Sequence, residues 1–368
     1  MTGRTPDNSA AELSRPESLR QWAHSLRALD VEVASRATLA MALPLIVLAL
    51  TGHIDWALYA SFGSMTALFG RSEPYRLRAR SVTTAAVGMV ASIGFGLLMS
   101  AVGAPLELLT LGLVVVLVLG VLLISTMGLF PGTPIFFVFA FTVVSQVPVA
   151  PAEVLPRLLV GVAAATFAWL LTMSGWLLRR LIPDRADRLF KVLPRQPRFN
   201  PTAYRDGRVW LSIGQMVVGG VVAGGLAIAL GIGHPYWAVV TVVAVLPPPR
   251  ARHSTSRTFH RIFGTTAGVL VTALVLLPGP PVWVLILVIA VGQFGAEILV
   301  GRHYGAALLF ITPLALTAAH LASPMPVSEL LVDRVVETLV GGAVALVIVV
   351  GTRAALARAD ARRAVPQA

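Results

Sequence analysis

The sequence predicts an all-α polytopic membrane protein with about twelve transmembrane helices, arranged as two parallel six-helix repeats. The first observation is composition: hydrophobic residues make up 56% of the 368 residues and charged residues only 12%, whereas soluble domains carry about 25% charged residues. The second is that uncharged stretches near the roughly 20 residues needed to cross a bilayer fill most of the chain. The third is a similarity between the two halves of the chain.

Twelve apolar segments account for the predicted helix number. They lie at 33–52, 55–70, 82–103, 108–128, 133–150, 156–178, 209–231, 236–248, 262–278, 281–300, 303–322 and 332–352. The segments 55–70 and 236–248 are shorter than a full span, so an arrangement of ten full helices and two half-helices stays open.

The distribution of basic residues predicts the orientation. With the N-terminus in the cytoplasm, 27 of the 29 Lys and Arg residues fall on the cytoplasmic side, as the positive-inside rule requires. Only Arg157 and Arg334 fall on the outer side. We therefore expect a multi-pass protein of the cell inner membrane with both termini in the cytoplasm. The net charge of +12 follows from this topology, so membrane lipid, and not nucleic acid, is an expected partner.

An internal repeat divides the chain. A shift of 181 residues superposes Trp56 on Trp237 and Arg80 on Arg261 without a gap. Six helices per half is an even number, so both halves insert in the same direction, as in a parallel repeat. The predicted order is a cytoplasmic tail, a first repeat, a basic cytoplasmic linker, a second repeat and another cytoplasmic tail, at 1–32, 33–180, 181–206, 207–353 and 354–368.

The second half carries a set of motifs that can be recognised. They are Gly233-His234-Pro235-Tyr236-Trp237-Ala238, Pro247-Pro248-Pro249, Arg257, His260-Arg261-Ile262-Phe263-Gly264-Thr265-Thr266-Ala267-Gly268, Tyr304 and Leu309-Phe310-Ile311-Thr312-Pro313. On these residues the region 209–350 resembles the fusaric acid resistance protein-like family, which includes aromatic acid exporters and is distantly similar to plant malate channels. The resemblance is fainter over 33–178. It implies an efflux permease for small organic anions such as aromatic carboxylic acids.

Arg80 and Arg261 are the first candidate substrate-binding residues. They lie where the third and ninth predicted helices leave the cytoplasm, in the same register of the two halves. Arginine binds carboxylates through two parallel hydrogen bonds, so a matched pair facing the gap between the halves would attract an organic anion. The alternative is that both side chains extend to the lipid headgroups as positive-inside anchors.

Arg157 and Arg334 are candidates because they violate the positive-inside trend. Each begins the last helix of its half on the outer side and could form the outer part of an anion path. The alternative is a local ion pair, with Glu153 for Arg157 and with Asp333 or Glu337 for Arg334.

Glu297 is the candidate for proton coupling. It is the acidic residue expected deepest in the hydrocarbon region, where an ionisable group is a functional candidate because its charge is costly to bury. The alternative places Glu297 about one helical turn from the cytoplasmic face, paired with Arg302.

His234 and Trp237 complete the candidate substrate-binding residues. Both lie at the outer entrance of the short eighth helix, and Trp56 occupies the position of Trp237 in the first half. Short helices at matching places in two halves indicate a transport site. The alternative is that the tryptophans are ordinary interfacial anchors.

The sequence gives no sign of an enzyme, a cofactor or a metal site. The chain has no cysteine, its seven histidines are scattered, and nucleotide-binding, zinc-protease and serine-hydrolase motifs are absent. The alternatives to an efflux permease are a passive anion channel and a non-transporting envelope scaffold, in which Arg80 and Arg261 would face outward. A homo-oligomer also stays open.

Overall fold

The computed structural model describes residues 28–181, 195–249, 251 and 254–364, and this part of the chain is α-helical without a β-strand. It contains twelve α-helices, in agreement with the predicted number. They are α1 (Ala28–Leu50), α2 (Ala57–Ser64), α3 (Tyr75–Ala101), α4 (Leu106–Met127), α5 (Ile135–Val144), α6 (Val154–Leu181), α7 (Gly207–Ala229), α8 (Tyr236–Val245), α9 (Thr255–Leu276), α10 (Val282–Leu299), α11 (Tyr304–Ala322) and α12 (Val327–Ala364). Short 3-10 turns occupy Ile54–Trp56, Met65–Leu68, Pro151–Glu153 and Ala203–Arg205.

Nine of the described helices are long and apolar enough to cross a bilayer, which confirms the predicted multi-pass membrane protein. The exceptions are α2, α5 and α8, with 8, 10 and 10 residues. Two of these, α2 and α8, fall in the segments predicted to be short. The helix in the predicted segment 133–150 is shorter than the segment, because α5 begins only after Pro134 and ends at Val144, before Pro148. Proline lacks the N–H that would continue a helix.

The end of the second half also differs from the prediction. The last helix does not stop near residue 353 but continues to Ala364. The predicted C-terminal tail is rich in Ala and Arg, which are strong helix formers, so it extends α12. Residues 1–27 and 182–194, which hold most of the predicted N-terminal tail and part of the linker, lie outside the described residues. The predicted domain boundaries stay predictions.

The helices pack in corresponding pairs in the two halves. In the first half α2 and α3 pack against α6, and α3 packs against α5. In the second half α8 and α9 pack against α12, and α9 packs against α11. Between the halves, α1 packs against α10 and α7 packs against α4, again at equivalent positions. This pairing supports the internal repeat, which itself stays a prediction.

Small residues bring the helices of the second half close together. Gly264 and Gly268 of α9 face α11, where an added Cβ would lie 2.6 Å from the carbonyl oxygens of Gly305 and Leu308 respectively. Real Cβ atoms do not approach so closely, so glycine permits this helix contact, as in other membrane proteins. The contact fixes α11 against α9, and both helices contribute to the site below.

The described end of the linker lies against the first half. The Arg195 guanidinium donates through Nη2 to the Gly128 carbonyl at 3.0 Å, and its Nη1 lies 3.5 Å from Glu73 Oε1. The Asn200 N–H donates to the Thr126 carbonyl at 2.7 Å. Burial raises the pKa of the fully buried Glu73 carboxyl and lowers the pKa of Arg195. The linker is therefore attached through both backbone and charged groups.

Candidate functional site

The short helix α8 begins in the interior of the second half. Its ten residues rise about 15 Å, half the hydrocarbon thickness of about 30 Å. The Arg257 guanidinium of α9 donates through Nε to the Ala244 carbonyl at 2.8 Å, so the end of α8 lies level with the start of α9. The N-terminus of α8, at Tyr236, lies at the opposite end of the helix, where Trp237 contacts α12. A helix N-terminus carries partial positive charge, which favours an anion there.

Arg334 of α12 lies beside this helix N-terminus. Its side chain is 1% exposed, and the guanidinium carbon lies 3.9 Å from the centroid of the Trp237 ring. Neither Nε nor Nη1 has a hydrogen-bond partner. Removing an unpaired guanidinium from water costs several kcal/mol, so this group is a strong candidate to bind an anion.

Arg261 of α9 adds a second buried positive charge. It is 4% exposed and donates through Nη1 to the Tyr304 hydroxyl at 3.3 Å, while its Nε has no partner. Arg257 lies against the aromatic ring of Tyr304, with its guanidinium carbon 4.3 Å from the ring centroid. Arg334 is within electrostatic range of Arg261. Two predicted site residues, Arg261 and Arg334, are thus brought together inside the second half.

Glu337 is the buried acid of this cluster. It lies on α12, three residues after Arg334, and is fully buried. Residues three apart are neighbours on a helix face. Neither carboxylate oxygen has a partner with the distance and angle of a hydrogen bond, although the His234 backbone N–H, Arg334 and Asp333 lie close enough to act on the Glu337 carboxyl. The predicted alternative of a local ion pair that neutralises Arg334 is therefore not formed among the described residues.

His234 and Asp333 form the outer rim of the cluster. His234 Nδ1 lies 2.7 Å from Asp333 Oδ2, and the two side chains are 18% and 20% exposed. This contact joins the segment before α8 to α12, one residue before the buried Arg334. His234 and Trp237, both predicted from sequence, consequently lie at the entrance and on the wall of one site.

Arg80 has different surroundings from Arg261, contrary to the expectation of a matched pair. Its Nη2 donates to the Pro197 carbonyl at 3.2 Å, and its guanidinium carbon lies 5.9 Å from the Phe199 ring centroid. The reason is that the linker covers this part of the first half. We leave Arg80 out of the site.

The interface between the halves is apolar where it encloses a cavity of about 30 Å³. The wall includes Phe62 and Phe139 of the first half and Trp237 and Leu314 of the second. Neither Arg80 nor Arg261 lines it, so the expected arginine-lined gap between the halves is not seen at this cavity.

Arg157 and Glu297 are both engaged in ion pairs. Arg157 donates to Glu153 Oε2 at 2.5 Å and to the Tyr59 hydroxyl at 3.0 Å, which is the local pairing given as the alternative. Glu297 pairs at 3.2 Å with Arg71 and not with the expected Arg302. This pair connects the segment after α2 to α10. Both residues therefore have structural roles that account for their position.

Sequence reasoning named Glu337 only as a possible partner of Arg334, and it did not single out the buried Arg36 and Arg78 of the first half, which are 7% and 1% exposed. A signal for Glu337 was present, since it follows Arg334 by one turn within an apolar segment. Arg36 and Arg78 lay near predicted helix ends, where exposed anchors are the usual interpretation.

Comparison with known proteins agrees with the resemblance. Residues 221–348 match the family model described as fusaric acid resistance protein-like. The chain is 32% identical over 143 residues to the uncharacterized membrane protein YvaC of Bacillus subtilis. The aligned part is 39% of this chain and 22% of YvaC. It is 36% identical over 136 residues to the uncharacterized protein slr1298 of Synechocystis sp., which covers 36% of this chain and 17% of that protein.

The family match concerns one region of the molecule, residues 221–348. The aligned part spans about a fifth of the length of these curated relatives. No solved structure matches the chain significantly. The matched residues include the whole of α8 to α11 and the part of α12 that carries Arg334 and Glu337. The resemblance predicted from the sequence is thereby confirmed for residues 221–348, which match the fusaric acid resistance protein-like family model.

Proposed function

We propose that this chain is a membrane transporter for small organic anions and that Arg334, Arg261 and the N-terminus of α8 bind the carboxylate of the substrate. The observation that carries the proposal is the buried Arg334 guanidinium, whose Nε and Nη1 have no partner and which lies next to the N-terminus of α8. In this surrounding a carboxylate receives charge-assisted hydrogen bonds, and the arginines gain the counter-charge that burial requires.

Aromatic side chains next to the two arginines support an aromatic carboxylic acid as substrate. Trp237 and Tyr236 of α8 are buried, and Tyr304 lies beside Arg261. Aromatic rings favour offset or edge contacts with one another. A benzoate-like anion could therefore direct its carboxylate to the arginines and its ring to these side chains. The matching family is named for resistance to fusaric acid, which is consistent with efflux of an organic acid.

The test is anion flux through purified protein in liposomes. Radiolabelled benzoate, 4-hydroxybenzoate and malate are compared with protein-free liposomes. We expect Arg334→Gln and Arg261→Gln to reduce flux about tenfold or more, since one hydrogen bond to a charged group contributes about 1.5–3 kcal/mol. Arg261→Lys should retain part of the activity, because the charge remains although the planar fork is lost.

Arg353→Gln is the matched control. Arg353 is exposed near the end of α12 and outside the cluster, so its replacement should leave flux unchanged. Each variant is first compared with wild type in reconstitution yield and size-exclusion profile. Absence of protein-dependent flux for all three anions, or wild-type flux in Arg334→Gln, would contradict the proposal.

A further inference from the structure

We infer that Glu337 and the substrate carboxylate exclude each other from the same positive site, so that an anion binds only when Glu337 takes up a proton. This inference rests on the proposed function, because it assigns the control of the same anion site. Glu337 would be the internal counter-charge near Arg334 when the site holds no substrate.

The first step is the position of Glu337. It shares one face of α12 with Arg334 and is fully buried, so its carboxylate faces the same low-dielectric interior as the guanidinium. The backbone of His234 at the start of α8 also lies within electrostatic range. The groups that would attract a substrate carboxylate are therefore those that surround the carboxylate of Glu337.

The second step is charge balance. An ionised Glu337 has Arg334 as its neighbouring cation, and a substrate carboxylate would need the same partner. A substrate carboxylate brings a second negative charge into the same buried space, where two neighbouring carboxylates disfavour simultaneous ionisation. Transfer of one proton from solution to a carboxylate oxygen of Glu337 removes this conflict. The site then takes up one proton with each monocarboxylate, and its net charge is unchanged.

The third step concerns the charged and titratable groups on each helix that packs against α12. The titratable or charged side chains that face the cluster are Asp333 and Arg334 on α12, His234 and Tyr236 at α8, Arg257 and Arg261 on α9 and Tyr304 on α11. The remaining neighbour, α7, has Arg208 at its start as its one charged residue. Asp333 is bonded to His234. Glu337 is thus the acid of the described cluster whose oxygens have no partner with the distance and angle of a hydrogen bond.

The test is calorimetric titration of the full-length protein in detergent with benzoate from pH 6 to pH 10. Each pH is measured in two buffers with different ionisation enthalpies, which gives the number of protons taken up per anion bound. We expect uptake to approach one proton as pH rises, and affinity to fall about tenfold per pH unit in the same range. Zero uptake with pH-independent affinity would overturn the inference.

Two variants separate Glu337 from other groups. Glu337→Gln keeps the size of the side chain and removes its ionisation, so benzoate should bind without proton uptake and with affinity independent of pH. Glu297→Gln is the control, because Glu297 is also buried but paired with Arg71 outside the cluster, and it should keep the proton uptake of wild type. The wild-type titration does not depend on the folding of either variant.

The outcomes distinguish the two proposals. Absence of benzoate binding at every pH, or binding that Arg334→Gln leaves unchanged, contradicts the proposed anion site and the inference with it. Binding that requires Arg334 but shows the same proton uptake in wild type and Glu337→Gln supports the site and overturns the role of Glu337.

Discussion

The guanidinium carbon of Arg334 lies 3.9 Å from the centroid of the Trp237 ring. The two residues belong to different helices, α12 and α8, and both are buried. The negative face of an indole ring attracts a cation, by about 2 kcal/mol or more when the pair is removed from water. Trp237 therefore positions the arginine and keeps its N–H groups available.

The first prediction concerns this contact. Trp237→Leu should lower the thermal midpoint of the detergent-solubilised protein and reduce benzoate flux, because it removes both the cation–π contact and buried volume. Trp237→Phe should retain more of each, since an aromatic face remains under Arg334. The measurements are melting curves and liposome flux for both variants. Equal flux in Trp237→Leu and wild type would show that the ring does not position Arg334.

The second prediction concerns helix packing. Gly268→Ala should destabilise the protein by about 1–3 kcal/mol, as overpacking does, because the new Cβ would lie 2.6 Å from the Leu308 carbonyl oxygen. The matched control is Gly225→Ala, at a helical glycine of α7 with no heavy atom within 4 Å of the added Cβ. Thermal unfolding of both variants checks the difference. A melting temperature of Gly268→Ala equal to that of Gly225→Ala would argue against the close approach of α9 and α11.

The third prediction is the pH dependence of stability at the linker. Burial raises the pKa of Glu73 above its ordinary value of 4.5, so the folded protein holds this proton more tightly than the unfolded chain. The contribution of Glu73 to stability is therefore present below about pH 4.5 and is lost as pH rises through the folded-state pKa. Glu73→Gln should remove this part of the pH dependence.

Melting temperatures from pH 4 to pH 8 provide the check on Glu73. Glu107→Gln serves as the control, because Glu107 is an exposed carboxyl at the start of α4. Identical pH profiles for Glu73→Gln and wild type would contradict the role assigned to burial.

The fourth prediction is membrane topology. The natural chain has no cysteine, so single cysteines can be introduced without background. Thr202→Cys, in the linker, should react with a membrane-impermeant maleimide only in inverted vesicles, whereas Ser323→Cys, between α11 and α12, should react in intact spheroplasts. Both positions are exposed. The opposite labelling pattern would reverse the predicted orientation.

Much of the helical architecture could be predicted because hydropathy and span length decide which segments enter a bilayer. The short helix α8 was visible between Pro235 and Pro247 for the same reason. The length of α5 was not, because the apolar run continues beyond the point where the helix ends at Val144. Hydropathy measures transfer to lipid and does not report where the backbone leaves the helix.

Four residues of the proposed site were named from the sequence, but their arrangement was not predicted. Arg261, Arg334, His234 and Trp237 were identified from register, sidedness and the short helix. Arg261 lies near Arg334 because α9 packs against α12. No local pattern in a single sequence predicts that packing. Arg80 does not join the site because the linker contacts it. Hydrogen bonds such as that from Arg80 to the Pro197 carbonyl hold the linker there.

The most direct test of the anion site is an experimental structure of the protein with 4-iodobenzoate, in which the iodine marks the position and direction of the ligand. The account predicts ligand density inside the second half, with the carboxylate within hydrogen-bonding distance of Arg334 and Arg261 and the ring beside Trp237. Density whose carboxylate lies away from both arginines, such as density beside Phe62 and Phe139 in the apolar cavity between the halves, would contradict it.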